Sequence, residues 1–154
     1  MSAPAPAAAG EWTVFCDGSA VPNPGRMGLG AVITAPDGAR QTLSVATHAI
    51  GCNNEAELRA LIAALQALNA QGATAVRAFS DNSVLVAQLA AVPAKPVVRL
   101  AALFDEARTL LHSFERAEVQ WIPRHRNGEA DALARAALGI PPKPPAKWAK
   151  KHRR

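Results

Sequence analysis

The stretch that decides the fold is WTVFCDGS, residues 12–19, an apolar run that ends in the carboxylate of Asp17 and the small residues Gly18 and Ser19. So apolar a run predicts a buried strand over residues 12–17. Placing an isolated carboxylate in a low-dielectric interior is costly. Because Asp17 ends the run, we expect it at the rim of a sheet, where it is exposed, paired or bound to a metal ion.

Length and composition favour one domain with a substantial core, because 49% of the 154 residues are hydrophobic. We predict that this domain covers residues 11–140 and follows a disordered Ala/Pro-rich leader at residues 1–10. No apolar run reaches the roughly 18 residues of a membrane span, and the leader lacks the basic start of a signal peptide. These features predict a cytoplasmic protein without a membrane anchor, and we expect a monomer with free thiols at Cys16 and Cys52.

The net charge of +5 is concentrated in the tail at residues 141–154, PPKPPAKWAKKHRR. Six of the 17 basic residues lie there without any acid, which leaves 11 basic and 12 acidic residues in positions 1–140. The cations around Trp148 either neutralise nucleic-acid phosphates or form a solvated tail that only raises solubility.

Hydrophobic periodicity predicts the element order βββαβααβα, an α/β fold whose mixed sheet is flanked by helices. After the first strand, the Pro- and Gly-rich segment 19–28 predicts a turn region. Strands at 30–35 and 40–49 then complete an antiparallel meander. A long helix follows, capped by Asn53 or Asn54 and stopped by Gln71 and Gly72. The remaining predicted elements are a strand at 74–80, helices at 82–90 and 97–112, a strand at 116–122 and a helix at 129–138.

Four carboxylates lie at the ends of predicted elements, where the topology can bring them together. Asp17 and Asp81 end two strands, and Glu57 and Asp131 lie in the first turns of two helices. Each alone is also consistent with a turn or a helix cap. Together, like charges at short distance cannot all ionise without a cation between them. Oxygen ligands without cysteine or paired histidine favour Mg²⁺ or Mn²⁺.

The residues that surround the four carboxylates are more specific evidence of function than the spacing of the carboxylates. The strings FCDGSAVPNPGRMGLGAVI, NNEAELRALIAAL, FSDNSVLVAQL and WIPRHRNGEADALARAA, in this order, resemble the type 1 ribonuclease H family over nearly the whole domain. The resemblance implies a ribonuclease H-like fold with a five-stranded mixed sheet. It also implies an enzyme that cleaves the RNA strand of RNA–DNA hybrids and leaves 5′-phosphate and 3′-hydroxyl ends.

The resemblance further implies a two-metal site in which a metal-bound water attacks the phosphorus. Asp17 matches the carboxylate that bridges two Mg²⁺ ions, with Mn²⁺ as an alternative. Glu57 and Asp81 match ligands of one ion, and Asp131 matches a ligand of the other.

The same resemblance implies which residues contact the hybrid. Asn53, Asn54 and the backbone around Gly18 and Ser19 match positions that read sugars and minor-groove edges, where the 2′-hydroxyl distinguishes RNA from DNA. Asn23 matches a residue that contacts the substrate backbone. Asn53 and Asn54 are equally consistent with helix capping, and one can cap while the other binds.

Three features depart from the best-known bacterial members of the family. Those members carry a basic protrusion between the third carboxylate and the next helix, whereas this segment is short and apolar, so the chain resembles a compact subgroup. His125 lies six residues before Asp131 instead of ten, and it either helps a leaving group depart or is a solvated loop residue. Cys52 replaces a hydroxyl residue that contacts a DNA phosphate, which predicts a weaker contact there.

The sequence is also consistent with two other classes of function. The missing protrusion and the displaced histidine are consistent with a hybrid-binding module of little catalytic activity. The same fold also serves other nucleases, such as junction resolvases and nucleases for double-stranded RNA. The presence of all four carboxylates favours an enzyme, and the NNEAEL segment argues against one that acts only on DNA.

Overall fold

A five-stranded mixed sheet organises the chain, in the spatial order β3-β2-β1-β4-β5. The computed structural model describes residues 10–90 and 98–141. The strands are β1 Glu11–Val21, β2 Gly25–Thr34, β3 Arg40–Gly51, β4 Ala75–Ser80 and β5 Arg116–Trp121. The helices are α1 Asn53–Ala70, α2 Ser83–Gln88, α3 Ala101–His112 and α4 Gly128–Ala137. The predicted element order and the mixed sheet with flanking helices are confirmed.

β1 is the central strand, and the lengths of its two neighbours set the position of Asp17. It pairs in parallel with β4 over residues 11–15 and antiparallel with β2 over residues 13–21. Asp17 therefore lies inside β1, two residues beyond the last pair with β4. The prediction that Asp17 ends the strand is wrong, because β2 continues the pairing after β4 has stopped.

The turn predicted over residues 19–28 is also wrong in its extent. Only residues 22–24 connect β1 to β2, and Ser19 pairs with Gly28 within the antiparallel ladder. The buried side chains of Met27 and Leu29 supply the apolar contacts of this strand. The Pro and Gly content of the segment favours a turn on composition alone, and this concealed the strand.

The sheet has a different helix on each face, and side chains of β1 alternate between them. Val14 and Cys16 belong to the main core, which α1 fills with a buried apolar stripe: Leu58, Leu61, Ile62, Leu65 and Leu68. α4 packs against β1, β2 and β3 on the other face. Both cysteines are free, as expected.

The ends of the helices differ from the prediction in three places. α1 is capped by Cys52, whose Sγ accepts a hydrogen bond from the Glu55 backbone N at 3.5 Å, so neither predicted asparagine is the cap. Glu57 is consequently the fifth residue of α1 and lies beyond its first turn. α3 begins at Ala101 after a single 3₁₀ turn at Val98–Leu100. The predicted leader and tail lie outside the described residues, apart from Gly10 and Pro141.

None of the helices in the described parts of the chain combines the length and the apolar character that crossing a membrane requires.

Gly30 allows α4 to lie directly on β2. A Cβ atom at this position would lie 2.3 Å from the Ala130 carbonyl oxygen and 2.5 Å from the Ala134 backbone N. We expect Gly30→Ala to lower the free energy of unfolding by about 1–3 kcal/mol, because the helix must move off the sheet. Urea denaturation measures this change.

Gly128→Ala is the matched control for Gly30→Ala. A Cβ atom at Gly128, the first residue of α4, meets nothing within 4 Å. Alanine also has the higher helix propensity, so stability should stay constant or rise. An equal loss of stability in both variants would contradict the packing explanation.

Candidate active site

Three carboxylates meet where β4 ends beside the central strand. Asp17 comes from β1, Glu57 from α1 and Asp81 from the residue directly after β4. Each offers an oxygen atom, and these three atoms all lie within 4.8 Å of one another. Asp17 is the most enclosed, with 6% of its surface exposed. Three like-charged groups this close form a site that favours a cation or a proton.

Gly18 makes this meeting possible. A Cβ atom on Gly18 would lie 2.2 Å from the Ala56 carbonyl carbon and 2.4 Å from the Glu57 backbone N. The start of α1 therefore rests on the backbone of β1 itself. This contact brings the Glu57 carboxylate to Asp17, and it gives Gly18 a packing role in addition to its predicted place beside the substrate.

Asp131 lines the same cavity from the first turn of α4. Its Oδ2 accepts a hydrogen bond from Nε of Arg135 at 3.2 Å. The cavity has a volume of about 390 Å³, and its lining is almost entirely polar: Asp17, Gly18, Ser19, Asn53, Asn54, Glu57, Asp81, Asn82, Ser83, Arg124, Asp131 and Arg135. The four predicted carboxylates thus share one cavity.

Burial and like charge oppose ionisation in this cavity. Burial raises the pKa of Asp17 to about 10, and the Glu57 carboxyl and the charge of Asp81 act in the same direction. Burial also raises the pKa of Glu57, although hydrogen bonds with Asp17 and Asn82 and the charge of Arg124 lower it. Without a cation, the cluster therefore retains a proton.

Asn82 holds Glu57 in place. Its Nδ2 donates hydrogen bonds to the Glu57 carboxylate and to Oδ1 of Asn54, the latter at 2.7 Å. Its Oδ1 caps α2 by accepting from the Leu85 backbone N at 3.1 Å. The sequence predicted Asn82 only as the first residue of the helix at 82–90, because the contact with Glu57 depends on tertiary structure.

Asn127 holds Asp81 in the same way. It is buried immediately before α4, and its Nδ2 donates to Asp81 Oδ2 at 3.1 Å and to the Cys16 carbonyl oxygen at 2.9 Å. It therefore ties Asp81 to the strand that carries Asp17. Asn127 was not predicted as a site residue, because nothing in the RNGEAD string shows which acceptors lie near it.

The predicted substrate-contact residues fall into two groups. Asn23 is not among the residues that line the cavity, whereas four others are: Gly18, Ser19, Asn53 and Asn54. Asn53 accepts from the Ala20 backbone N at 2.8 Å through Oδ1, and its own backbone N donates to Asn23 Oδ1 at 3.1 Å. These bonds fasten the β1–β2 hairpin to α1, and the contacts with nucleic acid stay predictions.

His125 does not line the acidic cavity. It is exposed in the 3₁₀ turn Arg124–Arg126, and Arg124 is the residue of this turn that reaches the cavity. Only the imidazole in this loop was predicted to act at the site, and the neighbouring guanidinium was missed. The catalytic role of His125 stays a prediction.

A cation lies beside Cys52, where the sequence predicted a weakened phosphate contact. The exposed Arg99 donates from Nη2 to Cys52 Sγ at 3.3 Å. The position of the predicted phosphate contact therefore carries a positive charge, which the sequence alone did not indicate.

Several known proteins are similar to this chain in sequence. The family model described as reverse transcriptase-like matches residues 15–137. The bifunctional protein Rv2228c of Mycobacterium tuberculosis is 36% identical over 127 residues, which are 81% of this chain and 35% of that protein. The ribonuclease HI of Halobacterium salinarum is 33% identical over 129 residues, 84% of this chain and 65% of that protein. The chain thus spans about a third of the length of Rv2228c and about two thirds of the length of the Halobacterium ribonuclease HI.

Solved structures of similar proteins match the fold of this chain over almost their whole length. RNase H1 of Halobacterium salinarum has a TM-score of 0.78 and 31% identity, with 84% of this chain and 98% of that chain covered. The N-terminal RNase H domain of Rv2228c has a TM-score of 0.76 and 32% identity, covering 83% and 98%. LC11-RNase H1, solved in complex with an RNA/DNA hybrid, has a TM-score of 0.74 and 28% identity, covering 83% and 96%. The chain therefore belongs to the reverse transcriptase-like family and, within it, to the type 1 ribonuclease H proteins.

Proposed function

We propose that this chain is a metal-dependent endoribonuclease that hydrolyses the RNA strand of RNA–DNA hybrids. The observation that carries the proposal is the convergence of Asp17, Glu57 and Asp81, whose oxygens lie within 4.8 Å of one another. Asp131 faces the same cavity. A similar protein, LC11-RNase H1, is solved in complex with an RNA/DNA hybrid, which supports the hybrid as substrate.

The cavity fits a hard divalent cation. Its charged ligands are carboxylates, and no cysteine or histidine of the described chain lines it. A cation also offsets the burial and the neighbouring negative charges that raise the pKa of Asp17. We assign the site to two Mg²⁺ ions, with Mn²⁺ as a substitute, held by the four carboxylates. When bound, such ions supply Lewis-acid stabilisation of the charge that develops on the phosphate oxygens.

The remaining polar groups orient the ligands and the substrate. Asn82 and Asn127 position Glu57 and Asp81 through the hydrogen bonds described above. Asn54 accepts from Asn82 through Oδ1, which leaves its Nδ2 to donate to a ribose 2′-hydroxyl. Hydrolysis breaks the P–O3′ bond, so one product retains the 5′-phosphate and the other the 3′-hydroxyl.

Two groups of cations extend the proposed contact with the hybrid. Arg99 beside Cys52 supplies a charge for a phosphate of the DNA strand, in place of the hydroxyl contact that the sequence lacks. The six Lys and Arg residues of the tail at 141–154 supply further phosphate contacts, with Trp148 available for stacking.

Substitution of Asp17 tests the reaction most directly. We expect Asp17→Asn to lower the rate of cleavage of a labelled RNA–DNA hybrid in Mg²⁺ by at least about a hundredfold, because a metal ligand is removed. Cleavage by the unchanged protein should stop in EDTA. Asp105→Asn on the exposed surface of α3 is the matched control and should cleave normally.

The same assay separates the rival functions. Duplex DNA, duplex RNA and single-stranded RNA are incubated beside the hybrid, in Mg²⁺ or Mn²⁺. Tight binding of the hybrid without cleavage in either metal would indicate a binding module, and preferred cleavage of another duplex would indicate a different nuclease. Circular dichroism of Asp17→Asn shows whether its loss of activity occurs in a folded protein.

The pH dependence of stability tests the metal site without an activity measurement. Between the ordinary Asp pKa of about 3.9 and the raised pKa of Asp17, the folded protein binds a proton that the unfolded chain has released. In EDTA, the free energy of unfolding should therefore fall as the pH rises through this range. Mg²⁺ takes the place of the proton, so it should raise the Tm more at about pH 8 than at about pH 5.

NaCl at matched ionic strength controls for general screening in this experiment. Asp17→Asn removes the titrating group and should flatten the dependence of Tm on pH in EDTA. A slope equal to that of the unchanged protein would show that Asp17 is not the group that retains the proton.

Deletion of residues 141–154 tests the basic tail. We expect weaker binding of the hybrid and a shallower dependence of log K on log salt, by up to about 0.9 for each phosphate that the tail neutralises. Fluorescence anisotropy over a range of KCl concentrations measures both quantities. A full-length variant with the six cations changed to glutamine should behave like the deletion, and an unchanged salt slope in both would remove the proposed role.

A further inference from the structure

Two guanidinium groups line the acidic cavity together with the four carboxylates, those of Arg124 and Arg135. Arg135 is paired within the protein, because its Nε donates to Asp131 Oδ2 at 3.2 Å. Arg124 forms no ion pair with any carboxylate in the described parts of the chain. Its charge nevertheless acts in the cavity, since it opposes the burial that raises the pKa of Glu57. Arg124 is therefore a cation of this cavity that is available to an anionic ligand.

Hydrogen bonds fix the backbone of Arg124 relative to the carboxylates. Arg124 begins the 3₁₀ turn after β5, and its carbonyl oxygen accepts from the Asn127 backbone N at 2.9 Å. Asn127 is 1% exposed, and its side chain donates to Asp81 Oδ2. The Arg126 backbone N closes the turn by donating to the Pro123 carbonyl oxygen at 3.0 Å. The turn that carries Arg124 is thus tied directly to one of the carboxylates.

We infer that Arg124 is a further catalytic residue, which contacts the phosphate that is to be cleaved; this inference rests on the proposed function. A phosphodiester in the cavity brings a negative charge among carboxylates, so it requires positive partners. A guanidinium can donate two parallel hydrogen bonds to phosphate oxygens. Because arginine stays protonated in proteins, Arg124 supplies charge and donors but transfers no proton. It therefore differs in chemistry from His125, which does not line the cavity.

The reaction increases the need for this charge. The attacking water loses a proton to solvent as its oxygen bonds to phosphorus, so the phosphate group gains a second negative charge. The P–O3′ bond then breaks, and O3′ takes its electron pair and a proton. A cation that is already in place when charge develops stabilises the transition state without reorganisation. Arg124 should therefore affect the rate more than the affinity for the hybrid, to which many other phosphates contribute.

Phosphate binding tests the contact without an activity measurement. Inorganic phosphate is titrated into the ¹⁵N-labelled full chain in Mg²⁺, and we expect the NMR signal of Arg124 Nε–H to shift. Arg124→Met removes the donors and should weaken phosphate binding about tenfold. Arg116→Met is the matched control, because Arg116 is exposed at the first residue of β5 and Arg124 follows the other end of that strand. This control should bind phosphate normally.

Cleavage of a labelled RNA–DNA hybrid tests the catalytic role. Arg124→Met should lower kcat about a hundredfold and change KM by less than about threefold, because the contact matters most in the transition state. Arg124→Lys keeps the charge but loses the forked pair of donors, so its rate should be intermediate. Arg116→Met should cleave normally. Circular dichroism and the Tm of each variant show that the fold is retained.

A phosphorothioate at one RNA linkage separates direct contact from an indirect effect. Where sulfur replaces the non-bridging oxygen that Arg124 contacts, Arg124→Met should lose little further rate at that linkage, since the contact is already weakened. The other diastereomer and the unmodified linkages should show the full loss. Gel analysis of the products measures the rate at each linkage.

The outcomes distinguish this inference from the proposed function. Equal cleavage by Arg124→Met and the unchanged protein would overturn the inference and leave the proposed function intact. In a chain that does not cleave the hybrid, a phosphate-induced shift at Arg124 would retain the phosphate contact, and its absence would overturn both. Additive losses for both phosphorothioate diastereomers, or full recovery of Arg124→Met at about pH 9, would show that Arg124 acts only through the ionisation of Glu57.

Discussion

The site depends on the contact between the backbone of β1 at Gly18 and the start of α1. Only a residue without a Cβ atom permits this approach, since the Ala56 carbonyl carbon would lie 2.2 Å from a side chain there. The contact fixes the distance between Asp17 and Glu57, because one carboxylate lies directly before Gly18 and the other directly after Ala56. The packing that buries the apolar stripe of α1 thereby also brings two like charges together.

That arrangement costs stability, and the surrounding groups reduce the cost only in part. Burial raises the pKa values of Asp17 and Glu57, which shows that the cavity disfavours their charges. Asn82 and Asn127 donate hydrogen bonds to Glu57 and Asp81 but bring no positive charge. Neutral donors can fix the direction of a carboxylate without occupying the place of a cation. A cavity of this kind is suited to metal ions, since binding of the ions restores the lost stability.

The sequence allowed the fold to be predicted because its elements have clear apolar periodicity, most of all the stripe of α1. The four carboxylates were found because they lie at or near element ends and within recognisable strings. The extent of β2 was missed because Pro22, Pro24 and several glycines resemble a long turn. Cys52 as a helix cap was missed because serine, threonine, aspartate and asparagine are the usual caps. The roles of Asn127 and Arg124 depend on contacts between distant segments, and no local pattern reports these.

Asn127 ties the carboxylate of Asp81 to the strand that carries Asp17. Its Nδ2 donates to Asp81 Oδ2 at 3.1 Å and to the Cys16 carbonyl oxygen at 2.9 Å, so one planar amide group fixes both acceptors. Because Asn127 is 1% exposed and lies directly before α4, the position of Asp81 depends on the packing of α4 against the sheet. The same helix carries Asp131 in its first turn, so α4 contributes to the positions of two of the four carboxylates. A single buried side chain thus couples the packing of the last helix to the position of a carboxylate from another element.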